Sequence, residues 1–328
     1  MRTFLTDDWA LTVPIIGAPM SPQAGGSLVA ALARCGALGM IGLVPGADPV
    51  ASLRADVNEF RSSAGSRPFG IGLIAWAVEA RPELLQAALE AEPFAISISF
   101  GDPAPYAACI RQAGVKLICQ VQDRESALRA EAAGADLLVA QGTEAGGHTG
   151  AIGTLPLLQV VLDRVSVPVV AAGGIASGRG LSAVLAAGAQ GAWIGTPFLA
   201  AEEARNSSRA RQRLVAAKEN ETVLTAAFDV AQGIPWPAQF RGRALTNRFT
   251  ERWHGHEAEL VADSSARHSL EAALSAQNYD TAQLYAGQTV GLVERVEPAA
   301  EIVRRIVTDA EQRLQALTGL TSRATIAP

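Results

Sequence analysis

A histidine lies within a glycine-rich segment at residues 141–150, which reads Gln-Gly-Thr-Glu-Ala-Gly-Gly-His-Thr-Gly. Four glycines in ten residues let the backbone approach a bound molecule closely and expose its N–H groups. Imidazole titrates near neutral pH, so His148 can take a proton from a carbon acid or donate a hydrogen bond to an anion. The alternative is a histidine that only braces the loop. We favour the catalytic interpretation, because loops this rich in glycine seldom need such bracing.

Two further glycine-bearing segments follow the next apolar runs of the chain. Residues 171–178 read Ala-Ala-Gly-Gly-Ile-Ala-Ser-Gly, and residues 195–198 read Gly-Thr-Pro-Phe. Loops of this kind bind phosphate through backbone N–H groups in many barrel enzymes, although two ordinary tight turns would have the same composition. The only lysines are Lys116 and Lys218. Backbone amides would therefore have to hold the phosphate, and a barrel aldolase that needs a Schiff-base lysine is disfavoured.

Strand-like and helix-like segments alternate along the chain between residues 12 and 196, and they would position these loops. Short apolar runs alternate with amphipathic stretches at residues 48–64, 81–91 and 123–133. Each run is almost continuously apolar, as expected of a strand buried on both faces. The runs are Val13–Ala18, Leu38–Val44, Phe69–Ala75, Ala95–Phe100, Val115–Val121, Ala135–Ala140, Val167–Ala172 and Gly191–Gly195. They predict an α/β fold of the closed (β/α)8 TIM-barrel type, with the active site on the loops after the strands.

The composition changes between residue 202 and about residue 284, where polar residues increase and no strand-like run is found. We predict a mostly helical insertion or lid here, with residues 1–201 and 285–328 forming the barrel. The rigid segment at residues 234–237 contains Trp236. Together with Phe240 it either caps a substrate pocket or anchors the insertion to the barrel.

A final helix is predicted from Pro298, because proline suits the first helical position. Its apolar residues recur at the three- and four-residue spacing of one buried face. They are Ala299, Ile302, Val303, Ile306, Val307, Ala310, Leu314 and Leu317. We expect this helix to pack against the barrel.

Charge and composition exclude several classes of protein. The 27 basic and 32 acidic residues give a formal charge of −5, which offers no electrostatic footprint for nucleic acid. Glycine, proline or charge interrupts every apolar run before the length that a membrane span needs. The N-terminal residues turn acidic early, so we expect a cytoplasmic protein. Three cysteines without a CxxC pair imply neither a disulfide framework nor zinc, and His254 and His256 lack a third metal ligand.

The motifs described above resemble those of the nitronate monooxygenase family, once called 2-nitropropane dioxygenases. The most specific similarity lies in residues 140–150 together with residues 169–175. Residues 14–20, Pro-Ile-Ile-Gly-Ala-Pro-Met, resemble the N-terminal motif of that family, and residues 286–292 resemble its closing motif. The resemblance covers nearly the whole chain.

The resemblance implies an FMN-containing barrel that oxidises alkyl nitronates with O2 to a carbonyl compound and nitrite. His148 would remove the α-proton of a neutral nitroalkane or hold the nitro group by a hydrogen bond. The flavin would accept one electron from the nitronate, and O2 would complete the oxidation. The expected cofactor contacts are Ala18, Pro19, Met20, Gln120, Gln141 and Gly146 at the flavin, and Gly173, Gly174, Gly195 and Thr196 at the phosphate. A homodimer is an open alternative to a monomer.

Two positions depart from the family pattern, since members often have Gln where this chain has Gly17 and Asn where it has Gly72. The loss of two polar side chains near the expected flavin would alter its potential, its affinity or the substrate. Three other functions also stay open. A flavin-dependent enoyl-acyl-carrier or quinone reductase would consume NADH or NADPH. A non-flavin isomerase or lyase would be colourless, and a non-catalytic FMN-binding protein would hold a flavin that no substrate reduces.

Overall fold

The computed structural model describes residues 1–43 and 48–321 of the chain. Its strands are β1 (Ile15–Gly17), β2 (Leu38–Gly42), β3 (Phe69–Ile74), β4 (Ala95–Ser99), β5 (Lys116–Val121), β6 (Leu137–Gln141), β7 (Gly147–Thr149), β8 (Val169–Ala172), β9 (Ala192–Ile194), β10 (Thr222–Thr225) and β11 (Arg241–Leu245). Strands β1 to β6, β8 and β9 are parallel and close into a barrel in that order. The predicted (β/α)8 barrel is confirmed, and each apolar run supplies one strand. Val44, the end of the second run, lies outside the described residues.

Helices connect the barrel strands along their outer face, and further helices form the segment that follows the last barrel strand. They are α1 (Phe4–Asp7), α2 (Gly26–Arg34), α3 (Pro49–Ala64), α4 (Ala75–Ala80), α5 (Glu83–Glu90), α6 (Ala104–Gln112), α7 (Arg124–Ala132), α8 (Thr154–Leu162), α9 (Gly178–Ala186), α10 (Thr196–Leu199), α11 (Ser208–Val215), α12 (Ala227–Gln232), α13 (Arg248–Trp253), α14 (Glu257–Leu260), α15 (Ser264–Ser275), the 3-10 helix η1 (Gln288–Leu292) and α16 (Ala299–Thr321). Side chains cap the N-termini of several of these helices. Asp48 accepts a hydrogen bond from the Ala51 N–H before α3, and Asp123 and Ser126 form a capping box at α7. None of the helices in the described residues is long and apolar enough to cross a membrane.

The barrel interior is apolar toward the amino ends of its strands. A cluster of large side chains fills this part, and it includes Ile16, Leu38, Met40, Ile118, Leu137, Val139, Val170 and Trp193. Below it, Trp9 packs edge-on against Phe94, with ring centroids 5.2 Å apart, and closes that end. Side chains alternate along a strand, so the same inward-facing series continues at the other end with small or polar residues. These are Gly72, Ser97, Ser99, Gln120 and Gln141.

The segment between residues 202 and 284 contains two strands, so the expectation that it lacks them is wrong. β10 pairs antiparallel with β11, and β11 pairs antiparallel with β7, which follows β6 of the barrel. Short strands of mixed polarity have little local signal, because their stability comes from tertiary pairing. Helices α11 to α15 nevertheless supply most of the regular secondary structure of this segment.

The last helix, α16, begins at Ala299, one residue after the predicted start. Its face of Ala299, Ile302, Val303, Ile306 and Ala310 is buried, and it packs closely on α9. The close approach occurs at Gly178, the first residue of α9, where a Cβ atom would lie 2.5 Å from the Asp309 Cβ and against the Ala310 backbone N–H. The Leu317 side chain, the last predicted member of this face, lies outside the described part.

Replacement of Gly178 by Ala should therefore push α16 away from α9. We expect the free energy of unfolding to fall by about 1–3 kcal/mol, as for other overpacked sites, measured by thermal or denaturant unfolding. Gly153→Ala is the matched control. Gly153 also lies at a helix start, directly before α8, but a Cβ atom there would meet no atom closer than 3.5 Å. Equal stability of the two variants would contradict the close contact.

Candidate active site

His148 lies in β7, directly opposite Gly242 of β11. Its Nε2 atom is 2.9 Å from Oδ2 of Asp229, a residue of α12. The two side chains are only 8% and 6% exposed. The histidine predicted from the sequence is thus a buried residue, and its partner is a carboxylate from the insertion.

The close packing around His148 depends on the absence of a side chain at Gly242. A Cβ atom there would lie 2.8 Å from Cε1 of Tyr285 and 3.4 Å from Nε2 of His148. The rings of Tyr285 and His148 are 5.7 Å apart between centroids. Burial raises the pKa of the Tyr285 phenol, and the nearby Asp229 charge raises it further. The phenol is therefore neutral and available as a hydrogen-bond donor at physiological pH.

Four aromatic side chains cover the histidine, and we call Trp76, Phe100, Trp236 and Phe240 the aromatic cover. Trp236 stacks on the His148 ring with centroids 3.5 Å apart and planes 7° from parallel. Phe100 packs edge-on against Trp236 at 5.1 Å and against Phe240 at 5.2 Å. Trp236 and Phe240 therefore tie the insertion to the barrel, which is one of the two alternatives predicted for them; that they cap a substrate pocket stays a prediction.

A cavity of about 850 Å³ opens beside the aromatic cover, above α4, α6 and α7. Its lining is largely apolar and includes Trp76, Leu85, Phe100, Tyr106, Gln120 and Phe240. This volume lies within the range of small-molecule sites. Phe100 and Gln120 bring the cavity next to the His148 region and the barrel mouth.

A chain of side-chain amides supports the backbone of His148. Gln122 Nε2 donates to Gln141 Oε1 at 3.0 Å, and Gln141 Nε2 donates to the His148 carbonyl at 3.0 Å. Gln120, on the neighbouring inward position of β5, accepts from Ser99 Oγ at 2.9 Å. Gln141, one of the predicted cofactor residues, therefore has a protein partner for both its amide oxygen and its amide nitrogen.

The residues after β1 meet those after β9 at the carboxyl end of the barrel. A Cβ atom at Gly195 would lie 3.3 Å from Met20 Sδ and 3.4 Å from Ala18 Cβ. Pro19 packs over Gly72, where any Cβ would contact the proline ring. The structure thus brings the predicted segment 18–20 and Gly195 together.

The two departures from the family pattern lie in different surroundings. A side chain at Gly17 would point at Leu32 of α2, behind the barrel wall, so the expectation that it would approach the flavin is wrong. A Cβ at Gly72 would lie 3.3 Å from Ser97 Oγ, inside the barrel mouth. The Ser97 hydroxyl is buried and has no hydrogen-bond partner among the described residues. An unpaired buried hydroxyl is a candidate hydrogen-bond partner for a bound ligand, whereas the Cβ position at Gly72 itself is filled by the Pro19 ring.

The double glycine after β8 has a backbone that favours glycine. Gly173 and Gly174 have φ values of +95° and +70°. A Cβ at Gly173 would lie 2.8 Å from Thr154 Oγ1 and 3.0 Å from the Gly142 carbonyl oxygen. The loops after β6 and β8 therefore approach each other through backbone, with no room for a side chain at Gly173.

The closing motif, residues 286–292, contacts two further predicted cofactor residues, Thr196 and Gly146. The Gly287 N–H donates to Thr196 Oγ1 at 2.9 Å. On its other side, a Cβ at Gly146 would lie 2.6 Å from the Ala286 and Gly287 backbone. Gly146 and Thr196 are thus brought together through residues 286–287.

A buried arginine locks the loop after β6 to the insertion. Arg243 Nε donates to the Thr143 carbonyl at 2.7 Å, and its Nη1 donates to Thr222 Oγ1 at 3.2 Å. Burial lowers the pKa of the guanidinium, and the Glu144 carboxylate opposes this shift. Arg243 remains charged at neutral pH, since arginine does not lose its proton in proteins.

Sequence reasoning missed Asp229, Arg243 and Tyr285. Asp229 lies 81 residues from His148 in the chain, and no motif surrounds it, so no signal in one sequence could pair them. Tyr285 had a weak signal, because it directly precedes the recognised closing motif.

Other chemistries lack support at this site. Burial raises the pKa of the Cys119 thiol to about 12, so it is no ready nucleophile. Within residues 1–43 and 48–321, no group of three or more His, Cys, Asp or Glu side chains could hold a metal ion.

Comparison with known proteins identifies the family. The sequence model described as nitronate monooxygenase matches residues 78–309, so the chain belongs to the nitronate monooxygenase family. It is accordingly an oxidoreductase, and the resemblance noted in the sequence is confirmed.

Three individual proteins are similar over almost their whole length. FabK from Thermotoga maritima is 29% identical, with a TM-score of 0.84 over 98% of this chain and 99% of that one. The nitroalkane oxidase of Streptomyces ansochromogenes is 29% identical, with a TM-score of 0.79 over 94% and 98%. A Rhodococcus jostii (strain RHA1) protein named (3aS,4S,5R,7aS)-5-hydroxy-7a-methyl-1-oxo-octahydro-1H-indene-4-carboxyl-CoA dehydrogenase is 27% identical over 98% of this chain and 99% of its own length.

Removal of the stacked indole should expose His148. In Trp236→Ala, we expect diethyl pyrocarbonate to modify His148 several-fold faster than in the unmodified protein, as followed by peptide mass spectrometry. The other three histidines are exposed and serve as internal references. Trp76→Ala is the matched control, because Trp76 contacts Trp236 edge-on at 5.3 Å without stacking on the histidine. An unchanged rate in Trp236→Ala would show that the indole does not limit access.

Proposed function

We propose that this protein uses FMN and O2 to oxidise alkyl nitronates, and neutral nitroalkanes after removal of a proton, to carbonyl compounds and nitrite. The observation that carries the proposal is a buried, carboxylate-paired histidine at the mouth of a nitronate monooxygenase-family barrel. The similarity to a nitroalkane oxidase over nearly the whole chain supports the same substrate class. Residues 202–284 would act as the substrate subdomain, since they contribute Trp236 and Phe240 to the site. A homodimer remains a prediction.

The residues present at the barrel mouth are compatible with FMN. Ala18, Pro19, Met20, Gln120, Gln141 and Gly146 would hold the ring, and Gly173, Gly174, Gly195 and Thr196 would hold the phosphate. Support comes from the buried, unpaired hydroxyl of Ser97 in the barrel mouth. Further support comes from the two positive-φ glycines after β8, which suit a backbone cradle for an anion. When bound, FMN would accept electrons from the substrate and transfer them to O2.

The protein itself would supply proton transfer, orientation and exclusion of water. His148 would take the α-proton of a neutral nitroalkane or hold the nitro group by a hydrogen bond. The aromatic cover would exclude water from this step, which strengthens electrostatic interactions inside the site. The 850 Å³ cavity would hold the apolar part of the substrate.

A thioester reductase or dehydrogenase is the second candidate. It is favoured by the similarity to FabK and to a CoA-thioester dehydrogenase, each over 98% of this chain. Such an enzyme would exchange electrons with NADH or NADPH, so the two candidates differ in which reactant reduces the flavin.

An anaerobic absorbance spectrum tests the proposal directly. We expect purified protein, after reconstitution with FMN, to lose its oxidised flavin absorbance when propyl nitronate is added and to regain it in air. A flavin that NADH or NADPH bleaches but nitronate does not would favour the second candidate. Failure to bind FMN at all would contradict both flavin-dependent functions.

Gly174 allows a matched test of the phosphate loop. Gly174→Ala and Gly114→Ala both place Ala at a φ near +70°, in space that the Cβ can occupy, but at opposite ends of the barrel. Each should lose roughly 1–2 kcal/mol of stability from backbone strain. Only Gly174→Ala should weaken FMN binding, by about tenfold if the cradle loses about 1.4 kcal/mol of binding free energy. Equal FMN affinity, measured by fluorescence titration, would remove this loop from the phosphate site.

A further inference from the structure

We propose that Asp229 is a positioning residue that makes His148 a proton acceptor at Nδ1. The carboxylate would hold the imidazole with its proton on Nε2, which leaves the lone pair on Nδ1 for the α-proton of a neutral nitroalkane. This inference rests on the proposed function and deepens it, because it selects proton removal over a hydrogen bond to the nitro group.

The geometry of the pair determines which nitrogen carries the proton. Oδ2 of Asp229 lies 2.9 Å from Nε2 of His148, within hydrogen-bond distance. An ionised carboxylate can only accept, so Nε2 must donate. A neutral imidazole has one N–H, and its other nitrogen, Nδ1, therefore holds the lone pair.

Among the described residues, His148 is the only ion-pair partner of Asp229. Its Oδ1 atom is buried and has no hydrogen-bond partner in the described residues. The titratable groups that face the imidazole are Asp229 from α12 and Tyr285 from the segment before η1. Burial keeps Tyr285 neutral, so the Asp229 carboxylate is the one negative charge of these two groups. A proton gained by His148 would therefore create a positive charge directly beside the Asp229 carboxylate.

The elements around the pair hold both rings and the carboxylate in place. α12 packs through Phe228, whose ring stacks on Phe249 at 5.3 Å in the core of the insertion. The imidazole lies under Trp236, and the absent side chain at Gly242 leaves space at its Nε2 edge. The carboxylate is therefore presented by a packed helix rather than by a free loop.

The reaction step balances without another reactant. The α-C–H bond of the nitroalkane breaks, its electron pair stays on the substrate as the nitronate, and the proton moves to Nδ1. The resulting imidazolium is stabilised by the Asp229 carboxylate in a site of low dielectric. A preformed nitronate has no such proton to lose, so Asp229 should matter for the neutral substrate alone.

Asp229→Asn tests this role by removing the charge while keeping the shape. We expect kcat/KM for nitroethane to fall about 100-fold, within the usual range for a positioned general base, while turnover of preformed ethyl nitronate falls far less and FMN content is retained. The acidic limb of the nitroethane pH–rate profile should move to lower pH, because the imidazolium loses its stabilising charge. Asp229→Glu should restore part of the rate. Asp280→Asn, the same change at an exposed site in the insertion, should affect neither substrate.

Equal loss with both substrates, or no loss with nitroethane, would overturn the proposal. A purely structural role would lower stability and both activities together and would not move the pH profile. Thermal unfolding of each variant separates that case from the expected one.

Nitrogen NMR gives a readout that needs no turnover. In holoprotein labelled with 15N-histidine, with His148→Gln used for assignment, we expect Nε2 of His148 to have the shift of a protonated nitrogen and Nδ1 that of an unprotonated one. Asp229→Asn should show a mixture of tautomers. A proton on Nδ1 in the unmodified protein would overturn the inference. If the enzyme oxidises no nitronate, the proposed function fails, while the tautomer still tests the Asp229–His148 pair.

Discussion

The pairing of β11 with β7 is the interaction on which the candidate site depends. β7 belongs to the loop after a barrel strand, and β11 belongs to the insertion. Their ladder sets Gly242 opposite His148, and the same insertion supplies Asp229 and Trp236. Without this ladder, the barrel would present a glycine-rich loop with an exposed imidazole, and the histidine would have neither its carboxylate nor its cover.

The barrel could be predicted from the sequence because its signal is local. A strand buried on both faces must be apolar along its whole length, and helices covering it must be amphipathic, so each βα unit identifies itself. The glycine-rich loops were equally readable, since a backbone with φ near +95° at Gly173 excludes most other residues. These features placed His148 at the right end of the barrel.

The rest of the site could not be predicted because it depends on contacts between distant segments. β10 and β11 are short and partly polar, and they are strands only because they pair with each other and with β7. Asp229 is one of many acidic residues in the insertion and becomes special only through its distance to His148. The direction of a side chain was a further unknown: Gly17 and Gly72 look alike in sequence, yet one faces α2 and the other faces the barrel mouth.

The missing side chain at Gly242 also limits how this enzyme can diversify. Its neighbours on both sides, the phenol of Tyr285 and the imidazole of His148, occupy the space that any larger residue would need. New specificities can therefore arise by exchange at the cavity wall, at positions such as Leu85 or Phe240, without changing the His148–Asp229 pair. Position 242 is the opposite case, because even one added methyl group there would press on the Tyr285 and His148 rings at once.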